Sequence, residues 1–185
     1  MKAVFLDRDG VINEYPGDFK YVTSLEQFRL LPGVGQALKR LDDSGFKLYI
    51  VSNQAGVGKG EYPQKTLDLI TQNMLEELKK SGVNISGISY CIHRPEENCS
   101  CRKPKAGMIH SVIEQVKTKG EKLDIGKSFF IGDTIRDVET GRSVGLKTIL
   151  VFSGKEKPEN KSNWQHKPDF TASDLSEAVN IIIKK

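Results

Sequence analysis

Apolar residues along the chain recur at two spacings, a strand-like run and a helix-like stripe, and the two alternate from end to end. The short run Ala3-Val4-Phe5-Leu6 reads as a buried strand that stops abruptly at Asp7-Arg8-Asp9-Gly10. A helix is predicted from Gly33 to about Ser44, introduced by Pro32 and ended by Gly45. Phe46 to Val51 is the next strand, running into Ser52-Asn53. Leu67, Ile70, Met74 and Leu78 have helical spacing that gives out near Gly82. Ile88 to Cys91 makes a third strand, and Ile109, Val112, Ile113 and Val116 mark the helix after it. Phe129-Phe130-Ile131 stops at Gly132-Asp133 and leads into a helix from about Thr134 to Val144. Thr148 to Val151 is the fifth strand. Residues 155–167 read as polar loop, and Leu175, Ala178, Val179 and Ile182 place a closing amphipathic helix.

Repeated βα units predict a Rossmann-like α/β fold, a doubly wound parallel sheet with helices on both faces. The 185 residues suffice for a single domain, and no insertion is long enough for a cap domain. In such sheets ligands bind beyond the carboxyl ends of the strands, near the switch in strand order. Asp7, Ser52 and Asp133 all fall at those ends. Far apart in sequence, they converge only in this architecture.

Asp7 and Asp9 sharpen the expectation. Residues i and i+2 at a strand end project to one side. Two carboxylates about 4 Å apart repel by roughly 4 kcal/mol at an effective dielectric near 20. A hard cation, or a proton on one acid, is the expected compensation. Read alone, the tetrad is also an ordinary turn, since Asp and Gly favour turns.

The net charge of +4 excludes little. Lysines are scattered and interleaved with glutamates, the pattern of a solvated surface rather than of a nucleic-acid groove. No apolar run approaches ~20 residues, so no membrane span is expected. The N-terminus goes straight into Asp7 without a signal-peptide pattern, which places the protein in the cytoplasm, where a monomer is expected.

All three cysteines, Cys91, Cys99 and Cys101, lie in one short segment together with His93. Three thiolates and one imidazole suit tetrahedral zinc, and four protein ligands leave no open position. Residues 91–101 are therefore expected to form a structural zinc loop. The odd count and a reducing compartment argue against a disulfide.

Asp7-Arg8-Asp9-Gly10, Ser52-Asn53, Lys103 and Gly132-Asp133 with Asp137 together resemble the haloacid dehalogenase superfamily, in the right order and over nearly the whole chain. The resemblance implies that Asp7 is a nucleophile forming an aspartyl phosphate. It implies Mg²⁺ held by Asp7, the Asp9 backbone carbonyl and Asp133, with Asp137 behind the site or simply favoured by its helix dipole. It further implies Ser52 and Lys103 on the phosphoryl oxygens, and Asp9 as general acid and then base, which points to phosphatase chemistry. The Cys-Arg-Lys-Pro run, Ser52-Asn53-Gln54-Ala55-Gly56 and Tyr21-Val22 are similar to the D-glycero-D-manno-heptose 1,7-bisphosphate 7-phosphatases. A phosphorylated sugar is the substrate so implied, its C7 phosphate released in nucleotide-activated heptose biosynthesis, with Arg8, Asn53, Gln54, Lys59 and Arg102 against it. Histidinol-phosphate phosphatases share the zinc loop and remain the alternative. A polynucleotide 3′-phosphatase would need a continuous basic groove. A non-catalytic zinc-bearing binding protein would have little reason to keep both Asp7 and Asp9. The loop containing Lys59 fails the P-loop pattern, because Gly60 stands where Ser or Thr is required.

Overall fold

The computed structural model describes residues 1–184. Five of its strands follow the expected order: β1 (Lys2–Leu6), β2 (Phe46–Asn53), β3 (Ile85–Cys91), β4 (Phe129–Gly132) and β5 (Lys147–Val151). A sixth, β6 (Phe170–Ala172), was not legible in the sequence, because three residues are too few to show a period. It forms because the outer edge of β5 offers a ladder, which it joins in parallel from Phe170 to Ala172. The helices are α1 (Val34–Asp43), α2 (Ala55–Gly58), α3 (Gln64–Lys80), α4 (Gly107–Thr118), α5 (Ile135–Ser143) and α6 (Leu175–Ile183). The short α2 and 3-10 turns at Leu25–Gln27, Pro95–Glu97, Ile125–Lys127 and, within the expected polar loop, Pro158–Asn163 are the other additions.

All strand pairs are parallel, in the order β3-β2-β1-β4-β5-β6. The period of two along β1 explains the layering. Val4 and Leu6 face one apolar cluster with α1, α3 and α6, while Ala3 and Phe5 face another with α4. In α3 the stripe Leu67, Ile70, Met74 and Leu78 is fully buried. Each such side chain contributes about 1.5–3 kcal/mol, so packing rather than intrinsic propensity holds this helix. Among the described residues no helix is long and apolar enough to cross a membrane.

The chain runs outward from β1 to β3, then returns to lay β4 on the other side of β1. The strand order therefore reverses between β1 and β4, and a crevice opens beyond their carboxyl ends. The backbone N–H of Asp7 donates to Ile131 O at 3.0 Å, which locks the first residue after β1 to β4.

Candidate active site

Asp7, Asp133 and Asp137 bring carboxylate oxygens within 4.8 Å of one another at that crevice, and all three are buried. Burial raises the Asp7 pKa, and Asp137 adds to it against the opposing pull of Lys103. Asp133 is pushed well above the usual carboxylate range by burial, then by Asp7 and Asp137. Lys103 is 3% exposed and sits among them, 2.8 Å from Asp7 Oδ2 and 2.7 Å from Asp137 Oδ1. Its Nζ also donates to Val51 O at 3.0 Å. Burial alone would discharge this lysine, but Asp137 and Asp7 together outweigh that and raise its pKa. One lysine facing three buried acids leaves uncompensated negative charge. Hard oxygen donors with surplus negative charge fit a divalent cation such as Mg²⁺.

Asp9 is handled separately. Both it and Asp7 line the same cavity, as the i, i+2 argument required, but its carboxylate is not part of the acid trio. Arg8, fully buried, reaches Asp9 Oδ1 with Nη2 at 3.0 Å and with Nε at 3.2 Å. Asn13 Nδ2 donates to the same oxygen at 2.9 Å, and Gln54 Nε2 donates to Oδ2 at 3.0 Å. Tyr62 OH donates to Gln54 Oε1 at 2.8 Å and so orients that amide. Burial would lower the Arg8 pKa, but Asp9 more than reverses this and the shift is upward. The charge compensation expected between Asp7 and Asp9 thus comes from a different source on each side: Lys103 for Asp7, Arg8 for Asp9. Arg8 and Gln54, expected against substrate, instead grip Asp9 from behind, because both side chains are buried beneath the cavity floor.

Three further sequence expectations, Asn53 and Ser52 at the cavity and Asp137 buried behind it, take on added roles. Asn53 clamps the backbone of Lys103, accepting from its N–H at 3.0 Å and donating to its carbonyl at 3.1 Å. Asp137 caps α5, accepting from Thr134 N at 3.0 Å and from Thr134 Oγ1 at 2.7 Å, while its other oxygen faces Lys103. It therefore serves both as helix cap and as counter-ion. Ser52 lines the cavity and accepts from Gln54 Nε2 at 3.2 Å.

The cysteine segment closes on itself. Cys101 Sγ lies 3.2 Å from Cys91 Sγ and 3.4 Å from Cys99 Sγ, and Cys91 and Cys99 are 3.6 Å apart. His93 Nδ1 is 3.6 Å from Cys91 Sγ and 3.2 Å from Cys101 Sγ. Ligands around tetrahedral zinc are separated by roughly 3.8 Å (sulfur to sulfur) and 3.6 Å (sulfur to nitrogen). The four donors therefore fit a zinc ion to within about 0.6 Å, and the sulfurs are too far apart for disulfides. Lys103 follows Cys101 by two residues, so the cluster braces the backbone that carries it.

Acids and cations share a cavity of about 270 Å³. Asp7, Asp9 and Asp133 meet Lys59 and Arg102, as the sequence suggested. Lys59 also stands 5.8 Å from the centre of the Tyr21 ring. Sequence reasoning missed Arg136 and Lys155 on the other wall. The Lys155 backbone N–H donates to Asp133 Oδ2 at 2.8 Å, a role that no side-chain pattern announces.

D-glycero-beta-D-manno-heptose-1,7-bisphosphate 7-phosphatase of Haemophilus ducreyi is 39% identical to this chain over 162 residues, covering 83% of this chain and 85% of its own. The chain belongs to the family of heptose-1,7-bisphosphate 7-phosphatases. A further member of that family, from Chlorobaculum tepidum, is 34% identical over 185 residues, covering 96% of this chain and 92% of its own. The solved structure of D,D-heptose 1,7-bisphosphate phosphatase from B. bronchiseptica, complexed with magnesium and phosphate, superposes with a TM-score of 0.89. It is 28% identical and covers 100% of this chain and 99% of its own. The HAD-hydrolase-like family model matches residues 100–178, from the zinc-type loop into α6.

For a heptose-bisphosphate phosphatase family member, the glycines around Asp133 are as informative as the acids. Gly10 has φ +82°, and a Cβ there would overlap the Asp133 carboxylate. A Cβ at Gly154 would overlap the same carboxylate. Gly10→Ala is accordingly expected to weaken Mg²⁺ activation at least about tenfold through displacement of Asp133. A Mg²⁺ titration of activity at matched thermal stability checks this, and an unchanged titration midpoint would count against it.

Proposed function

We propose that the chain hydrolyses the C7 phosphate ester of D-glycero-D-manno-heptose 1,7-bisphosphate through a covalent intermediate on Asp7. The observation that carries the reading is the pair Asp7 and Asp9, facing one cavity with each matched to its own buried cation. Asp7, Asp133 and the Asp9 backbone carbonyl would hold Mg²⁺, which neutralises charge so that a carboxylate can approach a phosphate. Asp7 attacks phosphorus and the bond from phosphorus to the C7 oxygen breaks. Asp9 gives its proton to the departing alkoxide, then takes one from the water that cleaves the acyl phosphate, releasing phosphate and restoring Asp7. Lys103 and Ser52 take the phosphoryl oxygens, Lys103 held in place by Asn53 and Asp137. Arg8, Asn13 and Gln54 keep Asp9 aimed at the cavity. Zinc on Cys91, His93, Cys99 and Cys101 is structural in this reading.

Arg102 and Lys59 lie at the same cavity and suit the remaining phosphate and hydroxyls, the guanidinium offering a fixed fork of donors. Arg102→Ala is expected to lower kcat/KM for the heptose bisphosphate about tenfold more than for glycerol 3-phosphate. Equal losses on the two would make Arg102 a structural residue. The deciding experiment is a substrate panel with and without Mg²⁺, containing both heptose 1,7-bisphosphate anomers, histidinol phosphate and a 3′-phosphorylated oligonucleotide. Faster turnover of histidinol phosphate than of either anomer would overturn the heptose reading.

A further inference from the structure

The segment between β1 and α1 passes the cavity at residues 15–20, and one of its side chains has no structural employment. Phe19 lines the cavity yet is 95% exposed; the next most exposed large hydrophobic residue among those described, Leu69, is 44% exposed. Its φ is +61°, in the left-handed region that bulky residues avoid. An exposed aromatic ring and an unfavourable backbone are two costs at one position, and nothing in the fold of the free protein offsets them.

The segment is nonetheless tied down. Asp18 Oδ1 accepts from Tyr15 OH at 2.5 Å and from Lys155 Nζ at 2.6 Å. The backbone N–H of Lys155 is bonded to Asp133, so a single residue links this arm to the acid cluster. Asp18 is exposed and Lys155 half-buried, and ion pairs this open to solvent are weak.

The rest of the cavity presents acids at the floor and Lys59, Arg102, Arg136 and Lys155 around them. An aromatic ring set among such groups matches a ligand with charged ends and an apolar flank. A phosphorylated pyranose has that character: phosphates and hydroxyls for the polar walls, and a face of C–H bonds for the ring. We propose that Phe19 is a specificity-determining residue that packs on the C–H face of the sugar, held there by the strap between Asp18 and Lys155. The proposal rests on the sugar-bisphosphate reading of the site.

Phe19→Ala, Phe19→Trp and Asp18→Asn would be compared with the wild type on heptose 1,7-bisphosphate and on glycerol 3-phosphate, which has no ring. Phe19→Ala is expected to raise KM for the heptose about five- to tenfold relative to glycerol phosphate, with kcat nearly unchanged. Phe19→Trp should restore the low KM. Asp18→Asn should shift it in the same direction as Phe19→Ala and add little to it in the double variant. Because Phe19 is exposed, its loss does not threaten folding. An equal KM rise on both substrates, or none on the heptose, overturns the proposal. A wild type that prefers the heptose but is indifferent to Phe19→Ala overturns the arm alone. A wild type that prefers another phosphorylated pyranose, with the Phe19→Ala penalty on that sugar, overturns the heptose reading and supports the arm. Activity confined to ring-free esters or oligonucleotides overturns both.

Discussion

Asp7→Asn is expected to lower phosphatase turnover on the order of a thousandfold or more while leaving the protein folded. The amide keeps the shape of the carboxylate but cannot act as an anionic nucleophile. Folding should survive, because Asp7 is buried against its own preference and Lys103 retains Asp137 at 2.7 Å. Asp9→Asn should cost about 10²- to 10⁴-fold by removing the proton that the leaving alkoxide needs. The two variants differ in what they accumulate. Asp9→Asn can still form the aspartyl phosphate slowly and hydrolyses it poorly, so mass spectrometry of quenched reactions should find phosphate on Asp7. Asp7→Asn should show none. Wild-type turnover by Asp7→Asn, with deamidation and contaminating enzyme excluded, would sink the covalent mechanism.

The second large effect is expected from the cysteine cluster. Freshly purified, reduced protein should carry about one zinc per chain, as four closely spaced donors require. Cys99→Ser should lower Tm by roughly 5–10 °C, which for a domain of this size corresponds to about 2–3 kcal/mol. The fold should persist, since the two apolar clusters around the sheet draw mainly on residues outside this loop. Activity should fall further than stability alone explains. Lys103 is carried two residues beyond Cys101, and without the cluster its backbone is held chiefly by the two Asn53 bonds. Mg²⁺ added after mild EDTA treatment should restore wild-type activity, because the closed zinc site exchanges slowly. Metal analysis that finds no zinc would refute the assignment.

Much of this was legible in the sequence because the signals were local and repeated. The α3 and α6 stripes, the apolar run of β1, and the acids placed just past strand ends each follow from a few neighbouring residues. The cysteine cluster was equally plain, since its four donors fall within residues 91–101. The parallel orientation of β1 to β5 followed from alternation, as a parallel strand requires a crossover, whereas their order across the sheet did not. Only the tertiary structure decided how the charges pair. Adjacent in sequence to the acids it serves, Arg8 looked like a substrate contact; burial turns it toward Asp9 and away from the cavity. Lys103 reaches Asp7 and Asp137 across 96 and 34 positions respectively. The strand β6, and the backbone N–H that Lys155 gives to Asp133, likewise depend on which segments become neighbours. Side-chain periodicity encodes which face of an element is buried. It carries no information on which buried charge will meet which, because that is set by distances between elements whose packing the whole core determines.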